Sequence, residues 1–431
     1  MKHFHALSSA RHAPNRRQRG AATLVVVMLL FFVISLVAAY ASRNLIFEQR
    51  TSVNQYHSTQ SFEAAEAGLE WAVAMLNSGR AGDDCLPTTD TSRDNFRQRY
   101  LTTNVTTGVV NRKLATNIWA ACSFNGTAWQ CTCPTLGLTA GSLPVVGPAF
   151  GVRFVNQLNK PGAVRAEVNG CTSFDVVCIT NVGPGTASSC QSTLCSLLAS
   201  HSGLKSPPIA AVTARGDISG TALTASNPSQ AAGGITLHAG GTILASATLS
   251  SVPGTPPELS TRPSDSALAL PADAGDCLNC TFTSVFGLRP VTYRQQPAAV
   301  QVDCTSTCNA LDVNTALAAN RGRIVWLKNA GGLTIDNTAD IIGSAASPVL
   351  LVVEGPLTIA ASANTSARIY GLVYAASAAL NAGEIHGALV SAGNVVGSGT
   401  AQVAYEADLL DLLRLTTGSF VPVPGGWRDF P

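Results

Sequence analysis

Twelve cysteines are the residues of this 431-residue chain with the clearest potential for chemistry. Both groups that they form have even counts, which is typical of disulfide frameworks in exported proteins. The first group is Cys85, Cys122, Cys131, Cys133, Cys171, Cys178, Cys190 and Cys195, and the second is Cys277, Cys280, Cys304 and Cys308. All twelve are therefore disulfide candidates. The sequence leaves their connectivity open, except that the close neighbours Cys131 and Cys133 are expected to have different partners.

The second cysteine group has an alternative interpretation. Its C-x2-C pair at 277–280 and C-x3-C pair at 304–308 also have a spacing that zinc sites use. An oxidising compartment favours disulfides over thiolate ligands. We therefore predict disulfides and no metal.

Catalytic residues are not apparent elsewhere. Glu384 and His386 would share one face of a strand, but the sequence offers no third metal ligand beside them. The carboxylates Asp336, Asp340 and Glu354 are scattered, whereas polysaccharide-cleaving sites need paired carboxylates. The sequence has no GxSxG motif, phosphate loop or dinucleotide fingerprint. We therefore predict a protein without catalytic residues or cofactors, which is not an enzyme.

The amino-terminal segment must position everything that follows. A leader without acidic residues ends at Gly20, and an uncharged run extends from Ala21 to Ser42. The basic residues of the leader are Lys2, Arg11, Arg16, Arg17 and Arg19. The run is long enough to span a bilayer, and the positive charges favour a cytoplasmic amino terminus. No proline interrupts the chain from there to Leu76, so the sequence predicts one long helix that ends at 77–79.

This arrangement resembles the prepilin signal of type IV pilins and pseudopilins. The sharper resemblance is to PilX-type minor pilins, through RQRGAATLVVVMLL at 17–30 and SFEAAEAGLEWA at 61–72. It implies that a prepilin peptidase cuts after Gly20 and that Ala21 becomes the N-methylated mature terminus. It also implies that the helix waits in the inner membrane and later packs into a filament. An ordinary signal anchor is the alternative.

The fifth mature position departs from the pattern of most pilins. The family usually has Glu there, and this chain has Val25. The family carboxylate pairs with the free amino terminus of a neighbouring subunit, and an unpaired charge in an apolar filament core is costly. The departure therefore implies a place at the filament tip, where one neighbour is missing. The alternative is that this subfamily never uses the residue.

The chain is long for a pilin and divides into several predicted regions. We expect a cytoplasmic leader at 1–20, a transmembrane pilin helix at 21–78 and a cysteine-rich globular region at 79–205. A β-rich domain at 206–418 follows, with an insertion at about 251–300, and a tail at 419–431. The fold class is α+β: a long helix, a disulfide-rich β region and a β-rich carboxyl-terminal domain.

Short strand-like stretches separated by Gly or Asn predict stacked rungs, as in a parallel β-helix. One repeat is visible, because Ile369-x-Gly-Leu-Val recurs as Ile385-x-Gly-Ala-Leu sixteen residues later. A β-sandwich is the competing architecture. The segment 406–415, EADLLDLLRL, predicts an amphipathic helix that could cap an open end of the stack. The ending at 424–431 resembles that of large PilX-like proteins, and Trp427 and Phe430 are expected to pack locally.

Charge excludes one class of partner. The whole chain has a formal net charge of +2, but without the leader 22 basic residues face 25 acidic ones. No basic stripe supports nucleic-acid binding. The partners that the resemblance implies are a prepilin peptidase, other minor pilins, the major pilin, the inner-membrane assembly platform and a tip adhesin.

The sequence thus favours a structural minor pilin that primes type IV pilus assembly, with a role in adhesion. It would cross the inner membrane once, with its carboxyl-terminal domain in the periplasm, and then join a pilus on the cell surface. One alternative is a type II secretion pseudopilin at a pseudopilus tip. The other is a membrane-anchored β-helix protein that acts on carbohydrate.

Overall fold

The computed structural model describes residues 19–114, 118–139, 141–181, 191–269 and 281–428. The chain divides after Thr59 into two compact units, Met1–Thr59 and Gln60–Pro431. Each unit is described separately below.

The described residues contain eight α-helices, two 3-10 helices and twenty-two strands. The α-helices are α1 Arg19–Leu76, α2 Phe96–Tyr100, α3 Val176–Thr180, α4 Ser266–Ala269, α5 Thr281–Phe286, α6 Pro290–Arg294, α7 Ala310–Ala319 and α8 Ala407–Thr416. The 3-10 helices are Pro257–Ser260 and Ala361–Ser366. The first seven strands are β1 Leu101–Thr103, β2 Val110–Arg112, β3 Ala120–Phe124, β4 Trp129–Thr132, β5 Ala149–Asn156, β6 Ala163–Cys171 and β7 Gln191–Ser202.

The remaining strands belong to the carboxyl-terminal half of the chain. They are β8 Ala210–Ala214, β9 Ile218–Ser226, β10 Ile235–Ala239, β11 Ile243–Ser250, β12 Thr261–Arg262, β13 Ala299–Val302, β14 Ile324–Leu327, β15 Leu333–Ile335, β16 Ile341–Ile342, β17 Val349–Ile359, β18 Arg368–Leu380, β19 Glu384–Ser391, β20 Val395–Gly397, β21 Gln402–Tyr405 and β22 Gly418–Arg428. The α+β class with a long amino-terminal helix is confirmed.

The long helix α1 is continuous from Arg19 to Leu76, as the absence of proline predicts. Its last part belongs to the second unit and packs on an antiparallel sheet. There Ser61, Ala65 and Ala72 are fully buried. Small residues at these positions let the helix backbone approach the sheet closely. A Cβ added to Gly68 would lie 2.6 Å from Val168 Cγ1, so the single glycine of the helix interior is required by packing.

The antiparallel sheet has six strands in the order β22-β7-β6-β5-β3-β4. Between this sheet and α1 lies a core of aromatic rings, with Trp71 of α1 in edge contact with Phe96 at 5.3 Å and tilted against Phe150 at 5.6 Å. Phe96 and Phe150 are each at most 2% exposed. The helix and the sheet therefore form one packed layer pair.

The other large sheet, here called the parallel stack, consists of the fourteen strands β8–β21, and all of its pairings are parallel. The β-helix-like architecture is therefore confirmed over the sandwich. The predicted repeat is a pair of neighbouring rungs, because Ile369 pairs with Ile385 and Gly371 with Gly387. Gly371 has φ +150°, and a Cβ there would lie 1.8 Å from the carbonyl oxygen of Val349 on the preceding rung. The repeated glycine is thus a close-approach position.

The rungs do not stack in chain order. From one end to the other the neighbours are β13, β14, β17, β18, β19, β8, β10 and β12. The chain thus starts the stack in its middle at β8 and builds outward to β12. It then returns at the opposite end with β13 and closes the stack when β19 pairs with β8. An inward-facing ladder of Val325, Leu351, Val373, Leu389, Val212 and Leu237 crosses this seam, and each of these residues is 0% exposed.

In the segment predicted as an insertion, about 251–300, the described residues contribute two short strands, β12 and β13, to the stack. Its helices α5 and α6 cover the outer face of the stack. Phe282 of α5 is in edge contact with Trp326 and Tyr374, at centroid distances of 5.7 and 5.0 Å. The Tyr293 hydroxyl donates a hydrogen bond of 2.6 Å to the Gly203 carbonyl.

Two expectations for the end of the chain differ from the structure. The predicted cap helix exists as α8, but its buried Leu409, Leu410 and Leu413 lie against β18 and β19. It covers the side of the stack and not an end, because β8 already pairs with the far edge of β19. The described part of the predicted tail, 419–428, belongs to β22, which pairs antiparallel with β7 and completes the antiparallel sheet. Phe430 lies outside the described residues.

The side chain of Asn77 holds β22 at the end of α1. Its Oδ1 accepts from the Phe420 backbone N–H at 2.8 Å, and its Nδ2 donates to the Phe420 carbonyl at 2.8 Å. One amide thereby acts as a strand partner for Phe420. The parallel stack is consequently inserted between β7 and β22, two neighbouring strands of the antiparallel sheet.

Candidate assembly surface on the amino-terminal helix

The first unit presents an apolar surface that no other described residue covers. Every residue of α1 from Ala22 to Tyr56 is exposed. Phe31 and Phe32 are 72% and 65% exposed, and no charged residue occurs between Gly20 and Arg43. Among the described residues, α1 is the one helix that is long and apolar enough to cross a membrane. Because such a surface is unstable in water, it requires lipid or other protein around it.

The predicted processing residues lie at the start of this helix. Gly20 and Ala21 fall within α1, while residues 1–18 are outside the described part of the chain. Cleavage between them stays a prediction. Val25 is 57% exposed on the helix surface. The position that lacks Glu therefore lies within the exposed apolar surface of α1.

The motif at 61–72 has a different role from the apolar run. Its small residues form the contact with the antiparallel sheet, as described for Ser61, Ala65 and Gly68. The two motifs behind the pilin resemblance thus have separable tasks. One exposes an apolar surface, and the other packs against the antiparallel sheet.

Four disulfides are present among the described residues. They join Cys85 to Cys133, Cys122 to Cys131, Cys171 to Cys178 and Cys304 to Cys308. The prediction that Cys131 and Cys133 have different partners is confirmed. The Cys304–Cys308 bond leaves neither sulfur as a thiolate for the alternative zinc site, although Asp312 Oδ2 lies 3.7 Å from Cys304 Sγ.

Cys195 is the exception among the described cysteines, because its thiol is free and buried. The other eight described cysteines already bond to one another, and Cys190, Cys277 and Cys280 lie outside the described residues. Burial raises the pKa of the Cys195 thiol, with Glu167 as a secondary cause. A buried thiol of this kind is a weak nucleophile. The expectation that Cys195 is oxidised is therefore not met in the structure.

The pair Glu384 and His386 belongs to a larger group that the sequence did not reveal. His386 Nδ1 lies 2.6 Å from Glu406 Oε1, and its Nε2 lies 3.1 Å from Glu384 Oε2. The ring of Tyr370 stacks on His386 at 4.7 Å. Since the two carboxylates face opposite nitrogens of the ring, they do not converge on one point as metal ligands would. The group instead ties β19 to Glu406, the residue before α8.

Glu406 was missed because its approach to His386 depends on how α8 folds back on the stack. Only its position before an amphipathic helix was visible in the sequence. Glu354, one of the scattered carboxylates, accepts hydrogen bonds from Trp326 Nε1 at 2.9 Å and Arg294 Nη1 at 3.2 Å. These contacts give both carboxylates structural roles.

Comparison with known proteins agrees with the amino-terminal geometry. Residues 19–70 match the family model described as PilX N-terminal. Curated proteins give no match. One solved structure, the competence-associated pilin ComZ from Thermus thermophilus, is similar at 12% identity over 86% of this chain and 97% of that chain. Its TM-score of 0.23 is too low to indicate a shared overall arrangement.

The family match covers the exposed apolar run and residues 61–70 of the sheet-contacting motif, the two features on which the pilin resemblance depended. The resemblance to PilX-type minor pilins is thereby confirmed for residues 19–70.

Proposed function

We propose that this protein is a structural minor pilin that joins other minor pilins to prime type IV pilus assembly. The observation that carries the proposal is the uncovered apolar surface of α1 within residues that match the PilX N-terminal family. A prepilin peptidase would cut after Gly20, and Ala21 would become the methylated terminus. The helix would hold the subunit in the inner membrane, with the cysteine-rich part in the periplasm, until assembly places it in a surface pilus.

The tip position is the finer part of this proposal. Val25 offers no carboxylate for the amino terminus of a neighbouring subunit, so the subunit fits best where that neighbour is missing. The partners would then be other minor pilins, the major pilin, the inner-membrane assembly platform and a tip adhesin. A type II secretion pseudopilus would use the same helix, and localisation of the subunit in secretion and pilus mutants separates the two systems.

Processing is tested with Gly20→Val in the full chain. Its branched side chain should not fit a site that accepts glycine, so the uncut precursor of 44.4 kDa should accumulate. Ala41→Val, a change to the same residue type further along α1, serves as the control and should be processed normally. Mass spectrometry of the wild-type amino terminus should find methylated Ala21. A mature chain that begins at Met1, or beyond Ser42, would contradict the proposal.

The tip position is tested with Val25→Glu. Immunogold labelling should find the wild-type subunit at pilus ends. The variant regains the family carboxylate and should also label the shaft. Equal labelling along the shaft for both chains would reject the tip position but leave the minor-pilin function intact.

A further inference from the structure

A polar cleft lies where the antiparallel sheet region meets the parallel stack within the second unit. Its volume is about 400 Å³, which is within the range of small-molecule sites. One wall comes from α2, β1 and Lys113 after β2. The opposite wall comes from the segment before β14, the segment before β17 and the end of α8. Both folded regions are therefore needed to form it.

The charges that line the cleft do not balance. Its basic side chains are Arg97, Lys113 and Arg321, whereas Asp94 is the acidic residue of its described lining. Lys113 Nζ and Arg321 Nη1 share the Asp94 carboxylate at 3.6 and 3.9 Å. All three of these side chains are 40–48% exposed, so solvent screens their pairing. The cleft as a whole therefore has a positive excess.

Arg97 is the least compensated of these groups. Its Nη1 donates to the Gly418 carbonyl at 3.1 Å, and its guanidinium lies 4.7 Å from the centre of the Phe420 ring. Its buried Nη2 makes no hydrogen bond to any described residue. Burial lowers the pKa of Arg97 to about 10. Arg97 nevertheless remains charged at neutral pH, without a carboxylate partner in the described part of the chain.

The next residue, Gln98, offers a hydrogen-bond acceptor, whereas Arg97 offers donors. Gln98 Oε1 is buried and has no donor partner among the described residues. Its amide end faces Gly322, where an added Cβ would lie 3.6 Å from Gln98 Nε2. The cleft lining also includes the hydroxyls of Thr102, Ser347 and Thr416. A ligand that satisfies this site should carry an anionic acceptor for Arg97 and hydroxyl donors for Gln98.

We propose that this cleft binds a sugar acid, with its carboxylate on Arg97 and its ring hydroxyls on Gln98 and the hydroxyl-bearing lining. A guanidinium fork suits a planar carboxylate, and charge-assisted hydrogen bonds of this kind are the strong ones. The sugar acid can be free or part of an acidic polysaccharide, because the carboxylate and hydroxyl chemistry is the same. This binding activity is independent of filament assembly.

The test uses the full mature chain in detergent and saturation-transfer NMR with galacturonate as the probe. Galacturonate should receive saturation from the protein, while neutral galactose and inorganic phosphate should receive little. Arg97→Gln should weaken galacturonate binding by at least about tenfold, as expected for loss of a charged hydrogen-bond partner. Arg262→Gln, which removes the same charge from β12 at one end of the stack, should leave binding unchanged.

Two further variants keep the proposal falsifiable if Arg97→Gln does not fold. Arg321→Gln at an exposed position should weaken binding several-fold, and Asp94→Asn should strengthen it by removing the repelling carboxylate. Oligogalacturonate that binds more tightly than the monomer would identify a polysaccharide as the source, and equal affinity would identify the free sugar acid. Equal binding of galactose or phosphate, or unchanged binding in both Arg321→Gln and Asp94→Asn, would overturn the proposal.

Discussion

The antiparallel sheet and the parallel stack are stabilised in different ways, although they belong to one compact unit. Three of the four described disulfides, Cys85–Cys133, Cys122–Cys131 and Cys171–Cys178, lie in the sheet region. The stack has the remaining one, across a separation of only four residues, and a continuous inner ladder of aliphatic side chains. A loop-rich sheet thus depends on covalent links, whereas repeating rungs gain stability from each neighbour.

The largest expected effect concerns the disulfide that closes the longest loop among the described ones. Replacing both Cys85 and Cys133 by Ser should cost about 4 kcal/mol, because the bond closes a 48-residue separation. Hydrogen exchange measured by mass spectrometry should show faster exchange in β3–β7 and little change in β14–β19. The control is the Cys304–Cys308 double Ser variant, which opens a separation of four residues and should cost about 2 kcal/mol. Equal loss of protection in both regions would show that the two regions unfold together.

The second expected effect comes from a change in the parallel stack instead of the antiparallel sheet. Leu351→Ala removes a fully buried member of the inner ladder and should cost about 3 kcal/mol through lost burial and the cavity left behind. Amide exchange should accelerate in β14, β17 and β18, while β5 and β6 stay protected. Thr248→Ala on the exposed row of β11 is the control and should change stability by less than about 0.5 kcal/mol. Unchanged exchange in the stack would contradict the role of the ladder.

The smallest expected effect is a pH dependence of the stack. A hydrogen bond from His238 Nε2 at 2.8 Å, followed by the Ala267 backbone N–H, lowers the pKa of Asp265. A lowered folded-state pKa adds stability above the unfolded value of about 3.9, and this stability is lost as the pH falls through the folded value. The melting temperature of the wild-type chain should therefore fall below about pH 4 more steeply than that of Asp265→Asn. Parallel curves for the two chains would refute this contribution.

Local patterns in the sequence were sufficient to predict the helix and the rungs. A helix without proline and a sixteen-residue repeat both reflect contacts between near neighbours in the chain. Ile369 and Ile385 stack directly, so the repeat shows the register itself. The small residues of the 61–72 motif, by contrast, were recognised by resemblance, and their packing role emerged only from the structure.

Long-range pairing could not be predicted in the same way. The seam pairs Leu389 with Val212, and β22 pairs with β7, across separations that leave no periodic signal. Short strands rich in Ala, Val and Leu can pair with many others, so the order of rungs depends on the whole fold. The cleft around Arg97 was equally invisible, because its walls come from three distant parts of the chain.

The attachment of the stack through β7 and β22 has a consequence for how such a protein can vary. Both connections leave from adjacent strands, so whole rungs can be added or deleted at β12 or β13 without shifting either point of attachment. The helix-bearing part is then a constant carrier, and the inserted domain is an exchangeable module. Grafting another domain whose termini lie equally close together should preserve the carrier.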